Sequence, residues 1–190
     1  MAASAQLKNT MLDNFSVTHF SLHTAYSTTG SNELTGGSYA RKAVSYGASS
    51  NGVRSTSSQP VFDVPASTIR WIGKWMTATF AGMIANSGAE KEFFVDVSTD
   101  LITCYGHAYA NDEKVVFYAD VVPGGLVEGQ IYRVINATTN TLQVSDTVGG
   151  AAKDINAVPG PGCVISKIVE EVFAQPGQLT VTSGSTSLNS

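Results

Sequence analysis

The chain contains short runs in which apolar residues occupy every second position, separated by stretches rich in Gly, Ser and Thr. Period two places successive side chains on opposite faces of a β-strand. In the clearest run, 69–76, the alternating positions are Ile69, Trp71, Gly73 and Trp75, and the glycine predicts a bulge or a close packing contact. We therefore expect a mainly β fold, an antiparallel β-sandwich-like domain. The predicted strands are 16–24, 38–46, 59–64, 69–76, 114–118, 130–137, 141–145, 164–173 and 179–183.

The first residues follow a different period. Leu7, Met11 and Leu12, with Ala3 and Phe15 at either end, fall on one face of a helix. This spacing predicts a short N-terminal amphipathic helix over 3–15. Two roles are open for it, docking against a neighbouring subunit or covering one end of its own sheet.

Composition narrows the class of protein. Only 14% of the residues are charged, the net charge is −4, and there is no basic run, so we expect no nucleic-acid partner. The apolar runs are far shorter than a membrane span, so no membrane association is expected. The first residues lack the charged and apolar regions of a signal peptide. We expect the protein to act where it is made, or to leave the cell as part of a particle.

The histidines are the first candidates for metal or catalytic chemistry. His19 and His23 lie four residues apart on a predicted strand, where that spacing leaves them well separated on one face. No third ligand is positioned with them, and His107 is remote in sequence. We therefore predict structural histidines and no metal site.

The remaining reactive groups give no stronger signal. The acid pairs Asp112-Glu113 and Glu170-Glu171 are adjacent residues, which point to opposite faces of a strand and do not converge on one bond. Cys104 and Cys163 predict two buried thiols, or one bridge if they lie on neighbouring strands. There is no nucleophile elbow, phosphate loop or paired-cysteine motif. We predict no catalytic residues, no cofactor and no enzymatic activity.

The large aromatic residues have three possible roles. Trp71 and Trp75 form one pair at alternating strand positions, and Tyr105 and Tyr109 form another. Such residues are most often core, and the other possibilities are a subunit interface or a platform for a receptor glycan.

The most specific sequence motif of the chain lies in 21–52. Two predicted strands are joined there by a loop that is too long for a tight hairpin and too polar to be core. The segments LHTA (22–25) and GSNELTGGSYAR (30–41) resemble a family of small bacteriophage virion proteins of the tail-fibre or minor tail protein type. His23 belongs to this motif, and we expect its side chain to bond to the loop that follows. We also expect a buried Arg41, close to Tyr39, to clamp the loop through Glu33.

Further segments extend the resemblance. The order of FDVPA (62–66) and the aromatic strand after it is similar to that in the phage family, as is the ending GQLTVT (177–182). Residues 126–145, followed by GGAA (149–152), resemble a small β-module found in phage tail, spike and capsid-associated proteins. The resemblance is weakest over 77–103. It implies a parent β-sandwich-like domain over 1–107 and 163–190, with a small β-module inserted at 108–162.

These resemblances imply a structural component of a bacteriophage virion that assembles through symmetric subunit contacts, in the tail or fibre apparatus. A capsid decoration (cement) protein on the head surface is the alternative, and a host-glycan-binding module is a further one. Expected partners are other virion proteins, of the tail or the major capsid protein, and further copies of the chain, a trimer among them. The expected location is the virion, assembled in the cytoplasm of the bacterial host. The residues expected to form the motif or an interface are His23, Glu33, Tyr39, Arg41, Trp71 and Trp75.

Overall fold

The computed structural model describes residues 5–14, 17–51, 53–86, 90–118, 121–182 and 185–187. These residues form a mainly β, antiparallel structure with a single short helix, which confirms the predicted fold class. In chain order, the elements are α1 (Ala5–Asn14), β1 (His19–His23), β2 (Lys42–Ala43), β3 (Val53–Ser55), β4 (Val61–Val64), β5 (Ser67–Ile69), β6 (Trp71–Met76), β7 (Thr79–Ala85), β8 (Lys91–Glu92), β9 (Phe94–Asp96), β10 (Leu101–Thr103), β11 (Lys114–Tyr118), β12 (Tyr132–Ile135), β13 (Thr141–Ser145), β14 (Val164–Lys167), β15 (Glu171–Phe173), β16 (Gly177–Thr180) and β17 (Ser185–Ser187).

The chain divides into two compact units. Unit 1 comprises residues 1–84 and 171–190, and unit 2 comprises residues 85–170. Unit 2 is therefore inserted into unit 1, but it is wider than the 108–162 expected from sequence. The boundaries differ because β8 pairs with β14 and β10 pairs with β13, so segments on both sides of 108–162 belong to the same sheet.

One sheet of unit 1 has the strand order β2-β1-β6-β7. The predicted strand at 69–76 is divided at Arg70, since β5 pairs with β15 whereas β6 pairs with β1. The predicted strand at 38–46 shortens to the two residues of β2, because only Lys42 and Ala43 pair with β1. The buried apolar residues of this unit include Phe20, Leu22, Val44, Phe62, Val64, Ile69, Ile72 and Val181.

The remaining strands of unit 1 form an antiparallel ribbon of three two-stranded ladders, in which residues of 53–69 pair with residues of 171–187. Its pairs run from Val53↔Ser187 through Val61↔Thr180 to Ile69↔Glu171. The residue numbers of each pair sum to 240 or 241, so β3, β4 and β5 share nearly one register with β17, β16 and β15. The predicted strand 164–173 is consequently split, since β14 belongs to unit 2 and β15 to unit 1.

The N-terminal helix packs on its own chain. Leu12 is buried, whereas Met11 is exposed. The Arg54 guanidinium donates to the Leu12 carbonyl at the end of the helix (3.1 Å), and the Ser49 N–H donates to the Asp13 carboxylate (3.1 Å). These contacts match a helix that covers its own sheet, while docking against a neighbour stays a prediction. The predicted end positions Ala3 and Phe15 lie outside the described residues, within which no helix is long and apolar enough to cross a membrane.

Unit 2 is a small antiparallel barrel. Its sheet has the order β8-β14-β11-β12-β13-β10-β9, and β8 and β9 are separated only by the buried Phe93. Residues 91–96 therefore pair with β14 through β8 and with β10 through β9, which joins the two edges of the sheet and closes it. The predicted hairpin forms from β12 and β13, with the Thr138 N–H bonded to the Thr141 carbonyl (2.8 Å). The interior is filled by Phe93, Ile102, Cys104, Tyr109, Val115, Phe117, Leu126, Tyr132, Val134, Leu142, Val144, Ile155, Cys163 and Ile165.

Candidate functional site

Five of the six residues expected from sequence lie in one set of contacts in unit 1. His23 is on β1, Trp75 is on β6, and the other three lie between β1 and β2. The sixth, Trp71, lies on β6 as well, and its ring contacts Tyr26 with 5.1 Å between centroids. We call Ser21, His23, Glu33, Tyr39, Arg41 and Trp75 the motif cluster.

A buried chain of hydrogen bonds runs through the motif cluster. The Trp75 Nε1–H donates to Ser21 Oγ (2.7 Å), Ser21 Oγ lies 2.7 Å from His23 Nε2, and His23 Nδ1 lies 2.9 Å from the Ser31 carbonyl oxygen. A carbonyl only accepts, so Nδ1 carries the proton and Nε2 accepts the Ser21 hydroxyl proton. With His23 neutral, every polar group in this series of hydrogen bonds has a partner. The side chain of His23 also bonds to the following loop at Ser31, as expected.

The surroundings of His23 favour this neutral form. Burial of the ring lowers its pKa from the ordinary value of 6.5; the bond to Ser31 and the charge of Glu33 oppose the shift, and Arg41 adds to it. Desolvation dominates because a charged imidazolium loses more hydration than the neutral ring on burial.

The Ser21–His23 pair is packed too tightly to reach a substrate. Both residues are fully buried. A Cβ at Gly73, on the adjacent strand, would lie 2.3 Å from Ser21 Oγ and 2.5 Å from His23 Nε2. Gly73 therefore marks a close packing contact, one of the two alternatives predicted. Although serine and histidine resemble a nucleophile and its base, this pair has no space for a reacting atom beside it.

Arg41 clamps the loop from outside. Its Nε lies 3.0 Å from both Glu33 carboxylate oxygens, and its Nη2 lies 2.8 Å from Oε2. The guanidinium also lies over the Trp75 ring, with Cζ 3.2 Å from the centroid. The predicted clamp is present, but the prediction of a buried Arg41 is wrong, since its side chain is 35% exposed. It forms the outer cover of the indole, with one side towards solvent.

Tyr39 completes the motif cluster. Its hydroxyl accepts the Leu22 N–H (2.8 Å) and donates to Glu33 Oε1 (3.2 Å), and its ring stacks on Phe62. Burial raises the pKa of the Tyr39 phenol, which keeps the hydroxyl protonated and able to donate. The phenol therefore ties the loop at Glu33 to the backbone of β1.

The middle of the loop also rests on the tryptophan. Gly30 has a φ of +84°, and a Cβ there would lie 2.7 Å from Trp75 Cη2 and 2.9 Å from Phe80 Cδ2. Only glycine fits both the backbone conformation and the space. The loop is thus held at Gly30, Ser31 and Glu33. Gly30 is the first residue of the motif segment 30–41, but neither its contact with Trp75 nor the role of Ser21 was predicted from the sequence.

The other two histidines, His19 and His107, also lie within hydrogen-bond distance of neighbouring residues. His19 Nδ1 lies 2.9 Å from Thr18 Oγ1 on the surface of β1. The buried His107 accepts the Tyr109 N–H at Nδ1 (2.8 Å) and lies 3.3 Å from the Thr141 carbonyl through Nε2. Within the described residues, no three His, Cys, Asp or Glu side chains are placed to hold a metal ion.

One glutamate of each predicted acid pair forms an ion pair with a lysine. Glu113 pairs with Lys167, and Glu170 pairs with Lys114. Burial acts to raise the pKa of Glu113, but the bonds from Lys167 and from the Ala110 N–H outweigh it and bring the pKa below its ordinary value. Both carboxylates are therefore engaged by lysines.

The aromatic residues and the cysteines are mostly core. Trp71 and Trp75 are buried, so neither offers an exposed ring to a sugar or a partner. Tyr105 is 70% exposed while Tyr109 is buried, and they do not share a strand face because β10 ends at Thr103.

Cys104 and Cys163 are buried free thiols. They form no bridge because the strands beside them, β10 and β14, are not neighbours in the sheet. Burial raises the pKa of both thiols, to about 11 for Cys163.

No protein-family model matches the chain, and neither curated proteins nor solved structures give a match.

Proposed function

We propose that the protein is a non-enzymatic structural component of a bacteriophage virion, placed in the tail or fibre apparatus. The observation that carries the proposal is the motif cluster. Four of its residues, which lie in the segments that resemble phage tail-fibre and minor tail proteins, help to fix the 24–38 loop to the sheet: His23, Glu33, Tyr39 and Arg41. A motif that serves to hold a loop fits a protein whose task is to present a surface.

The arrangement of the loop suits an assembly contact. The Ser27 hydroxyl accepts the N–H groups of Thr29 (3.1 Å) and Ser31 (2.9 Å), which gives the exposed tip its own hydrogen-bonded framework. A loop ordered before binding loses little conformational freedom when a neighbour covers it. In this proposal the loop contacts other virion proteins or symmetry-related copies of the chain.

A catalytic or ligand-binding role fits the geometry of the motif cluster less well. The Ser21–His23 pair is sealed by Gly73, and Arg41 and Glu33 neutralise each other. The buried Trp75 has its ring covered by Arg41, which also argues against the glycan-binding alternative. Packing of this kind supports a scaffold rather than a site that exchanges ligands.

The proposal is tested by counting copies of the chain in purified particles, with heads and tails separated and compared by quantitative mass spectrometry. We expect a few to a few dozen copies that travel with tails. Hundreds of copies with heads would replace the tail placement by capsid decoration. Absence from both fractions would refute the virion role.

A matched pair of variants links the count to the motif cluster. Arg41→Ala removes the clamp, and Lys42→Ala removes a positive charge from the next residue without touching Glu33. We expect Arg41→Ala particles to carry fewer copies and Lys42→Ala particles to carry the normal number. Equal incorporation of both would show that the loop is not the assembly contact.

A further inference from the structure

The barrel of unit 2 has a seam beside Val95. The Cys104 N–H bonds to a carbonyl of the loop before β13 (2.8 Å), and hydrogen-bonded positions alternate along antiparallel strands. Ile102 therefore also directs its N–H and C=O towards β13, and Thr103 directs its own towards β9. The partner of Thr103 in β9 is Phe94. The next residue, Val95, consequently points its N–H and C=O away from β10.

On the side of β9 that faces away from β10, the neighbouring strand β14 ends before it reaches Val95. The pairing of β8 with β14 covers only Lys91 and Glu92. The chain before β14 contains Pro159 and Pro161, which carry no N–H, and Gly162, whose φ is +75°. Such a segment cannot continue the ladder alongside β9. A cleft of about 380 Å³ opens there between residues 92–95 and residues 158–163.

The far wall of this seam cleft, residues 158–163, is anchored close to its start. The Gly124 N–H donates to the Ala157 carbonyl (3.0 Å), and the Gly160 N–H donates to the Val121 carbonyl (2.9 Å). A Cβ at Gly160 would lie 3.0 Å from Val121 Cβ, so the two segments are in close contact. The cleft is therefore preformed, as binding sites usually are.

The lining of the seam cleft is apolar and exposed. Phe94 is 67% exposed and Val158 is 63% exposed, although large apolar side chains on a monomer surface are usually more scattered. Glu92 is the one charged residue in the lining. The site therefore combines an unpaired strand edge, apolar walls and a single negative charge.

We propose that the seam cleft binds an extended peptide segment of another protein chain. The segment adds a strand beside β9, exchanges main-chain hydrogen bonds with Val95, and packs apolar side chains against Phe94 and Val158. The strand edge selects an extended main chain, and Glu92 favours a basic over an acidic side chain in the segment. This inference concerns unit 2 alone and does not depend on the role of the motif cluster.

The test uses the full chain labelled with ¹⁵N and two peptides. The probe is acetyl-Val-Thr-Val-Lys-Val-amide, which alternates apolar side chains and carries one lysine. The matched control carries an N-methyl group on the central valine, which removes one N–H and keeps every side chain. We expect the Val95 amide to exchange with solvent faster than the Phe94 amide in the free protein, and saturating probe to slow the Val95 exchange at least about tenfold. The N-methyl peptide should bind at least about tenfold more weakly, the effect of losing one good hydrogen bond.

Two exposed valines provide variants that should fold. Val158→Lys places a charge in the cleft wall, and Val148→Lys makes the same change at a residue that is 61% exposed in the same unit but outside the lining. We expect only Val158→Lys to weaken binding of the probe. The proposal is refuted by a Val95 amide already protected in the free protein, by equal binding of the two peptides, by equal effects of the two variants, or by no binding at millimolar probe.

Discussion

Gly73→Ala is the most direct test of the packing beneath the motif cluster. The added Cβ would lie 2.3 Å from Ser21 Oγ and 2.5 Å from His23 Nε2, two fully buried atoms that are hydrogen-bonded to each other. Overpacking a buried position destabilises by about 1–3 kcal/mol. Displacing Ser21 or His23 also leaves a buried polar group without its partner, which costs about 1–3 kcal/mol more. We therefore expect Gly73→Ala to reduce the free energy of unfolding of unit 1 by about 2–6 kcal/mol.

Gly47→Ala is the matched control. Gly47 lies in the same unit, its φ is outside the left-handed region, and an added Cβ would meet only the Ser55 carbonyl oxygen at 3.9 Å. Both variants restrict the unfolded chain in the same way, which by itself stabilises by about 0.4–1 kcal/mol. The difference between them therefore isolates the contact with Ser21 and His23. We expect Gly47→Ala to be neutral or slightly stabilising.

The assay is urea unfolding followed by tryptophan fluorescence. The only two tryptophans of the chain, Trp71 and Trp75, are both in unit 1, so the signal reports that unit and not unit 2. The shift in midpoint multiplied by the slope gives the change in free energy, provided that the slope is unchanged. A difference between the two variants smaller than about 1 kcal/mol would contradict the close packing at Gly73 and the sealed Ser21–His23 pair with it.

Three further predictions concern pH, the clamp and the thiols. The pKa of His23 is lower in the folded than in the unfolded chain. The contribution of His23 to the stability of unit 1 should therefore be complete above pH 6.5 and be lost as the pH falls below this value. In a pH profile of the urea midpoint, His23→Gln should flatten this part of the curve. Arg41→Ala should destabilise unit 1 by about 1–2 kcal/mol in the same assay, because it removes the bidentate ion pair with Glu33 and the guanidinium over the Trp75 ring. A loss of stability no larger than that of Lys42→Ala would refute the clamp. Cys104 and Cys163 should react with a disulfide reagent only as unit 2 unfolds in urea, and rapid labelling without urea would contradict their burial.

The parts of the structure that sequence anticipated are those that depend on near neighbours along the chain. The strand at 114–118 follows from a short, continuous apolar run, and the hairpin of β12 and β13 follows from apolar alternation and a polar turn. The bond from His23 to the following loop and the pairing of Glu33 with Arg41 span eight residues each. Contacts at such short separation are limited by the intervening chain, so a motif can indicate them.

The division into units depended on contacts that sequence could not show. The strands β8 and β9 have two and three residues, too few to establish a period, and they fell in the 77–103 region where no strand was predicted. Their pairing with β14 and β10 moved the boundaries of the inserted unit outward. The run 164–173 likewise looks continuous in sequence, yet its two halves pair with strands of different units.

The sequence by itself determined a mainly β chain, a polar loop between β1 and β2, and residues able to hold that loop. Only the tertiary structure decided that Ser21 and Gly73 lie against His23, and that Arg41 covers Trp75 while remaining partly exposed. The physical reason is that period two fixes which face of a strand a side chain occupies, but not which strand lies beside it. Ser21 meets Gly73 across fifty-two residues of chain because β1 pairs with β6 in one particular register.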